Sequence, residues 1–134
     1  MPAVQGPRQK WLVLVVEDDE DLLRLLVRVL EQAKFEVATA TDGQSGLALA
    51  AGKPRPNLII SDIAMPDMDG LEMVRQIKQD PQMKPIPVIF LTAKETPGDI
   101  VAGIRAGARH YVTKPFRMPE LLEKVRAILP DVPD

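Results

Sequence analysis

Side chains capable of metal binding and phosphate chemistry follow four separate apolar runs of this 134-residue chain. In chain order they are Glu17, Asp18 and Asp19 after residues 11–16, Asp62 after 57–61, Thr92 after 88–91, and Lys114 soon after 110–112. In an open α/β sheet, ligands bind beyond the carboxyl ends of the strands. If these runs are parallel strands, we expect several carboxylates, a hydroxyl and an ammonium group to converge at one edge of the sheet.

That set of groups indicates phosphoryl-transfer chemistry. Crowded carboxylates repel one another, and Mg²⁺, which is held by one or two carboxylates together with water and phosphate oxygens, would offset the repulsion. A lysine and a threonine hydroxyl suit an anion beside the metal. An aspartate in such a site can itself be the nucleophile and form an acyl phosphate.

The pattern of the chain predicts the elements that would position these groups. The run at 11–16 is continuous and rich in β-branched residues, as is typical of a strand buried on both faces. We predict strands at 11–16, 35–40, 57–61, 88–91 and 110–112, and helices from residue 19 to Leu30 and near 45–51, 71–77, 100–104 and 121–129. Prolines fall in the connections between these runs. Alternating strands and helices predict one α/β domain with a parallel sheet between two helical layers.

The composition is that of an ordinary globular domain and excludes several classes of function. Hydrophobic residues make up 46% of the chain and charged residues 27%, which argues against disorder. The absence of cysteine excludes disulfides, thiolate metal sites and cysteine nucleophiles, and it fits a cytoplasmic location. A net charge of -2 and 4% aromatic residues give no indication of direct nucleic-acid binding. No apolar run approaches the ~20 residues of a membrane span.

Four segments of the chain, in the right order and at the right intervals, resemble the receiver domain of two-component response regulators. They are VLVVEDDEDLL (13–23), LIISDIAMPDMDGLE (58–72), PVIFLTA (87–93) and GARHYVTKPF (107–116). The resemblance implies a flavodoxin-like (βα)5 fold with strand order 2-1-3-4-5. The resemblance covers residues 11–129 and implies a receiver there. The first ten residues contain two prolines and a glycine and no apolar periodicity, so we expect a flexible arm at 1–10, and we expect residues 130–134 to form a tail.

The resemblance further implies a role for each residue of the site. Asp62 would accept a phosphoryl group from a histidine kinase or a histidine phosphotransfer protein. Asp18, Glu17, Asp62 and the backbone carbonyl of Ala64 would hold Mg²⁺, Lys114 would pair with a phosphoryl oxygen, and Thr92 and Tyr111 would form the conformational switch. The Lys114–Pro115 bond would be cis. The domain would catalyse only its own phosphorylation and its own slow dephosphorylation, and it would not be an enzyme acting on other substrates. It would contact a downstream protein or output domain through the fourth helix, fifth strand and fifth helix, and a phosphorylation-dependent homodimer is a further expectation.

Other interpretations stay open at this point. Glu17 with Asp67 and Asp69 loosely resembles the metal site of a Mg²⁺-dependent phosphoesterase of the topoisomerase-primase type, although that pair falls in a turn. A flavodoxin-type FMN protein would share the topology, but the acidic loop after the first strand would repel a phosphate. A receiver that never takes phosphate is a third alternative. We expect Asp19 to be a helix-terminal acid, and Asp67 and Asp69 to shape a turn.

Overall fold

The computed structural model describes residues 10–92, 105 and 107–130. Its strands are β1 (Leu12–Val16), β2 (Glu36–Ala40), β3 (Leu58–Asp62), β4 (Val88–Thr92) and β5 (His110–Thr113). Its helices are α1 (Glu20–Gln32), α2 (Gly43–Ala50), α3 (Gly70–Gln79) and α4 (Met118–Ile128). The helix predicted near 100–104 lies outside the described residues, so α4 is the helix predicted at 121–129.

All four strand pairings are parallel, and the strand order is β2-β1-β3-β4-β5. This order confirms the predicted flavodoxin-like topology. The apolar runs of β1, β3 and β4 are buried because helices cover both faces of the sheet. One core lies between the sheet and the helices α1 and α4, and the second lies between the sheet and the helices α2 and α3.

Side-chain caps set where three of the helices begin. Asp19 accepts hydrogen bonds from the backbone N–H groups of Asp21 and Leu22, and Asp42 and Asp69 accept corresponding bonds at the starts of α2 and α3. Such caps satisfy N–H groups that have no partner within the helix. The expectation for Asp19 is therefore confirmed, and Asp69 caps a helix in addition to closing the turn before it.

Two details of the predicted elements are wrong. The leucine-rich pattern of residues 22–30 predicts an apolar face for α1 that includes Leu25, but this side chain is 45% exposed, because the buried stripe of the helix consists of Leu23, Leu26 and Leu30. The second helix begins at Gly43 rather than at residue 45, because Asp42 caps it.

Candidate functional site

The site lies at the carboxyl edge of the sheet, which we define as the edge where the parallel strands end. Glu17 and Asp18 follow β1, Asp62 is the last residue of β3, and Thr92 is the last residue of β4. The backbone N–H of Lys114 donates to the carbonyl oxygen of Thr92 at 2.6 Å, so the loop after β5 is joined to the end of β4. The edge thus brings together groups that are distant in sequence, as predicted.

Three carboxylates form an acidic cluster at this edge. Glu17, Asp18 and Asp62 each have a carboxylate oxygen within 4.8 Å of the other two. Glu17 is fully buried and Asp62 is nearly so, whereas Asp18 is exposed. This set of hard oxygen ligands, open to solvent on the side of Asp18, fits a divalent cation such as Mg²⁺. Among the described residues, the cluster does not include Asp67 or Asp69.

Lys114 lies between two of these carboxylates. Its Nζ donates to Oδ2 of Asp62 at 3.1 Å and to Oε1 of Glu17 at 3.2 Å. Burial alone would lower the pKa of the Lys114 ammonium, but hydrogen bonds to Asp62 and Glu17 and their charges outweigh burial and raise the pKa above its ordinary value. Lys114 is therefore a fixed positive charge beside the Asp62 carboxylate.

The carboxyl group of Glu17 is held in an unfavourable environment for its charge. Burial, which outweighs the hydrogen bond from the backbone N–H of Asp19 and the attraction of Lys114, raises the pKa of Glu17 to about 7. The negative charge of Asp62 contributes to the same rise. A cation bound among the three carboxylates would reverse this balance, because an opposite charge favours the ionised form.

The backbone of Gly70 lies in close contact with the backbone of Asp62, which the sequence did not predict. A Cβ atom at Gly70 would lie 2.2 Å from the carbonyl oxygen of Asp62, and the N–H of Gly70 donates to the carbonyl of Ile63 at 2.8 Å. The same carbonyl of Asp62 accepts the Ser61 hydroxyl at 2.9 Å. The Asp-Gly pair at 69–70 indicates a turn, but only the fold shows that Gly70 packs directly against the backbone of Asp62.

The two residues assigned to the switch lie on neighbouring strands. Tyr111 of β5 is paired in register with Phe90 of β4, and Thr92 is paired with Thr113. Because paired residues of parallel strands point to the same side of a sheet, Thr92 and Tyr111 share one face. Thr92 is buried, whereas Tyr111 is 39% exposed.

The Lys114–Pro115 peptide is cis, as expected, and the Lys53–Pro54 peptide is cis as well.

Fold and site together define a flavodoxin-like α/β protein with an acidic pocket and an adjacent lysine. The sequence model of the response regulator receiver domain family matches residues 13–126. The chain therefore belongs to the response regulator receiver domain family. This assignment supports a phosphorylation-activated signalling domain and gives no support to a phosphoesterase of the topoisomerase-primase type.

Individual relatives agree with the family assignment. The chain is 40% identical over 117 residues to the alkaline phosphatase synthesis transcriptional regulatory protein PhoP of Bacillus subtilis, covering 87% of this chain and 48% of PhoP. It is 44% identical over 126 residues to the transcriptional regulatory protein PrrA of Mycobacterium tuberculosis, covering 94% of this chain and 51% of PrrA. The chain thus spans about half the length of these two curated relatives.

Solved structures match the fold over most of the chain. The chemotaxis response regulator CheY4 of Vibrio cholerae superposes with a TM-score of 0.84 at 34% identity, covering 90% of this chain and 99% of CheY4. The signal receiver domain of a signal transduction histidine kinase from Syntrophus aciditrophicus gives a TM-score of 0.82 at 34% identity, and the match covers 89% of each chain. No helix in the described part of our chain is long and apolar enough to cross a membrane.

Proposed function

We propose that Asp62 accepts a phosphoryl group from the phosphohistidine of a histidine kinase or of a histidine phosphotransfer protein. The observation that carries this proposal is the contact of 3.1 Å between Nζ of Lys114 and Oδ2 of Asp62, inside a cluster of three carboxylates. A lone helix-capping aspartate would need neither the lysine nor the two other acids. The cap of the following helix is also supplied by another residue, Asp69.

Glu17, Asp18 and Asp62 would hold Mg²⁺, and the backbone carbonyl of Ala64 would complete the protein's share of the metal shell. The donor set supports this assignment, because Mg²⁺ prefers oxygen ligands and retains several water molecules, which the exposed Asp18 side of the cluster can accommodate. When bound, the cation supplies charge neutralisation for the transferring phosphoryl group.

The transfer requires the carboxylate of Asp62 to attack phosphorus. An oxygen–phosphorus bond to Asp62 forms as the phosphorus–nitrogen bond of the donor breaks, and the electron pair of that bond stays on the donor imidazole. Lys114 and the hydroxyl of Thr92 would each contact an oxygen of the phosphoryl group, because its charge is spread over those oxygens in the transition state. Hydrolysis of the acyl phosphate by water regenerates the carboxylate and releases inorganic phosphate. We therefore propose slow autodephosphorylation; the small, exposed Ala64 leaves room for that water.

Thr92 and Tyr111 would convert phosphorylation into a change of conformation. When the Thr92 hydroxyl moves towards the phosphoryl group, space opens on the sheet face that it shares with Tyr111. The tyrosine, which is 39% exposed, can gain burial by turning into that space. The energy of one new hydrogen bond and of the buried ring would then favour a second arrangement of this face.

We propose that the change of conformation at Thr92 and Tyr111 is transmitted to a downstream protein or output domain through the surface of β5, α4 and the predicted helix near 100–104. We also propose that this surface supports a phosphorylation-dependent homodimer. The receiver in this proposal spans residues 11–129 and acts in the cytoplasm. The family assignment supports a histidine kinase as the phosphoryl source. The proposal includes no direct contact with nucleic acid or membrane.

A phosphodonor experiment tests the acceptor assignment. We expect incubation with Mg²⁺ and acetyl phosphate to add one phosphoryl group, seen by intact-protein mass spectrometry. The Asp62→Asn variant should stay unmodified, because the amide is not a nucleophile. Asp67→Asn is the matched control, since it removes an exposed acid of the loop that follows Asp62, and it should be modified as in the wild type. Modification of Asp62→Asn, or an unmodified wild type under conditions that label a second receiver domain, would refute the assignment.

A further inference from the structure

Positive charges gather at the amino edge of the sheet, where the strands begin, opposite the acidic cluster. Four cationic residues lie near the end of α3, in the loop before β4 and in the segment before β5. We call them the basic corner: Lys78, Lys84, Arg105 and Arg109. Three of them, Lys84, Arg105 and Arg109, are exposed. The basic corner is thus a surface feature that the phosphoryl-transfer site does not use.

Close contacts of Lys78 bring the three segments together. Its Nζ donates to the carbonyl oxygen of Lys84 at 2.9 Å and to that of Ile86 at 2.7 Å, so the loop before β4 wraps around the end of α3. Gly107 packs so closely that a Cβ atom there would lie 2.9 Å from Cγ of Lys78. Arg105 is two residues before this glycine, and Arg109 is two residues after it.

The four charges have no carboxylate partner in the described part of the chain. In the ion pairs found there, the cationic partners are Arg24, Arg75 and Lys114. Asp80, the nearest acid in sequence, accepts a hydrogen bond from the N–H of Gln82 at 2.8 Å. Burial, followed by the positive charges of Arg109 and Lys84, lowers the pKa of Lys78. The fold therefore concentrates positive charge that an external anion would stabilise.

We propose that the basic corner docks an acidic segment of a partner protein. A short run of carboxylates is complementary in charge to the basic corner. A nucleic-acid duplex fits less well, because it carries one charge per ~1.7 Å of axis and would extend past the corner over a chain with a net charge of -2. The low aromatic content, 4%, also gives a nucleic acid few stacking partners. This proposal does not depend on phosphoryl transfer to Asp62.

Binding of a fluorescein-labelled glutamate hexapeptide, measured by anisotropy, tests the proposal. At an ionic strength of about 20 mM, where charges on a surface are weakly screened, we expect saturable binding that weakens with added NaCl. The double charge reversal Lys84→Glu/Arg109→Glu should raise the Kd about tenfold or more, because two attractive pairs become repulsive. Circular dichroism confirms that the variant is folded.

The matched control is Arg28→Glu/Arg126→Glu, which makes the same change of net charge on exposed residues of α1 and α4. It should raise the Kd by no more than about threefold, since distant charges are partly screened. Asp62→Asn should bind the peptide like the wild type, so failure of the acceptor proposal and failure of this one give different results. Amide chemical shifts should change at 78–88 and 107–112 in the wild type.

Three results would overturn the proposal: no binding of the hexapeptide, equal losses in the two double variants, or shift changes elsewhere on the surface. Tighter binding of a twenty-base-pair DNA duplex that is lost in Lys84→Glu/Arg109→Glu would assign the corner to nucleic acid instead.

Discussion

Replacing Glu17 by glutamine should change how the stability of the metal-free protein depends on pH. Glu17 is fully buried, and its pKa is raised from an ordinary value of 4.5 to about 7, mainly by burial. Folding is therefore more favourable when this carboxyl group is protonated. Its contribution to stability is fully present below pH 4.5, is lost as the pH rises to about 7, and stays lost above that pH.

The size of the effect follows from the shift. At about 1.4 kcal/mol per pKa unit, the rise from 4.5 to about 7 corresponds to about 3 kcal/mol in total, most of it lost between roughly pH 4.5 and pH 7. This loss is large beside a typical unfolding free energy of about 5–15 kcal/mol. Glutamine has nearly the same shape and cannot ionise. It can also still accept the N–H of Asp19, which Oε2 of Glu17 accepts at 3.1 Å.

The assay is urea unfolding of both proteins in EDTA at several pH values, followed by circular dichroism and by the fluorescence of the single tryptophan, Trp11. Trp11 reports on tertiary structure because its Nε1 donates to the carbonyl of Pro130 at 2.6 Å. We expect similar stability of the two proteins at pH 5, and a Glu17→Gln variant that is more stable by about 2 kcal/mol at pH 8. Titrating groups that do not interact with Glu17 cancel in the difference between the two proteins.

If Glu17 helps to hold Mg²⁺ as proposed, saturating Mg²⁺ should reduce the difference in unfolding free energy between the two proteins at pH 8, because the cation would stabilise the ionised carboxylate of the wild type. Parallel pH profiles for the two proteins, or a variant that is less stable at pH 8 than the wild type in EDTA, would refute the argument that burial of a charged Glu17 destabilises the metal-free fold.

Three further substitutions test single features of the fold and site. Asp18→Ala should weaken Mg²⁺ binding at least about tenfold by calorimetry while stability changes by less than about 1 kcal/mol, because Asp18 is the exposed carboxylate of the acidic cluster. An unchanged affinity would remove Asp18 from the proposed metal site. Gly70→Ala should lower the free energy of unfolding, measured in urea, by about 1–3 kcal/mol, since its Cβ would lie 2.2 Å from the carbonyl oxygen of Asp62. The control Gly52→Ala, whose Cβ would have its nearest contact at 3.4 Å, should have little effect. Equal losses of stability in the two variants would contradict the close contact at Gly70. Asp19→Ala should cost about 1 kcal/mol by loss of the α1 cap, and thermal unfolding at the wild-type temperature would exclude that role.

Most of the architecture could be predicted because it follows from local patterns. The continuous apolar runs identify β1, β3 and β4, whose residues need burial on both faces. Weaker patterns predicted the helices less accurately. The start of α2 depends on the cap at Asp42, and the exposure of Leu25 depends on which side of α1 the sheet covers. Both depend on how an element packs, which periodicity only approximates.

The residues of the candidate site could be predicted because the ends of parallel strands share one edge of a sheet. Glu17, Asp18, Asp62, Thr92 and Lys114 follow apolar runs, and a parallel sheet brings such positions together whatever their separation in sequence. The sequence by itself therefore determined the fold class and which side chains meet at this edge, and its four motifs determined the family.

Only the tertiary structure decided the electrostatics within that edge. Glu17 and Asp18 are adjacent and chemically alike, yet one is fully buried and the other exposed, and burial raises the pKa of Glu17. The contact of Lys114 with two carboxylates and the approach of Gly70 to the Asp62 carbonyl likewise have no local signal. Burial and distance depend on segments that are far apart in the chain, so they are set by the packing of the whole domain rather than by any one stretch of sequence.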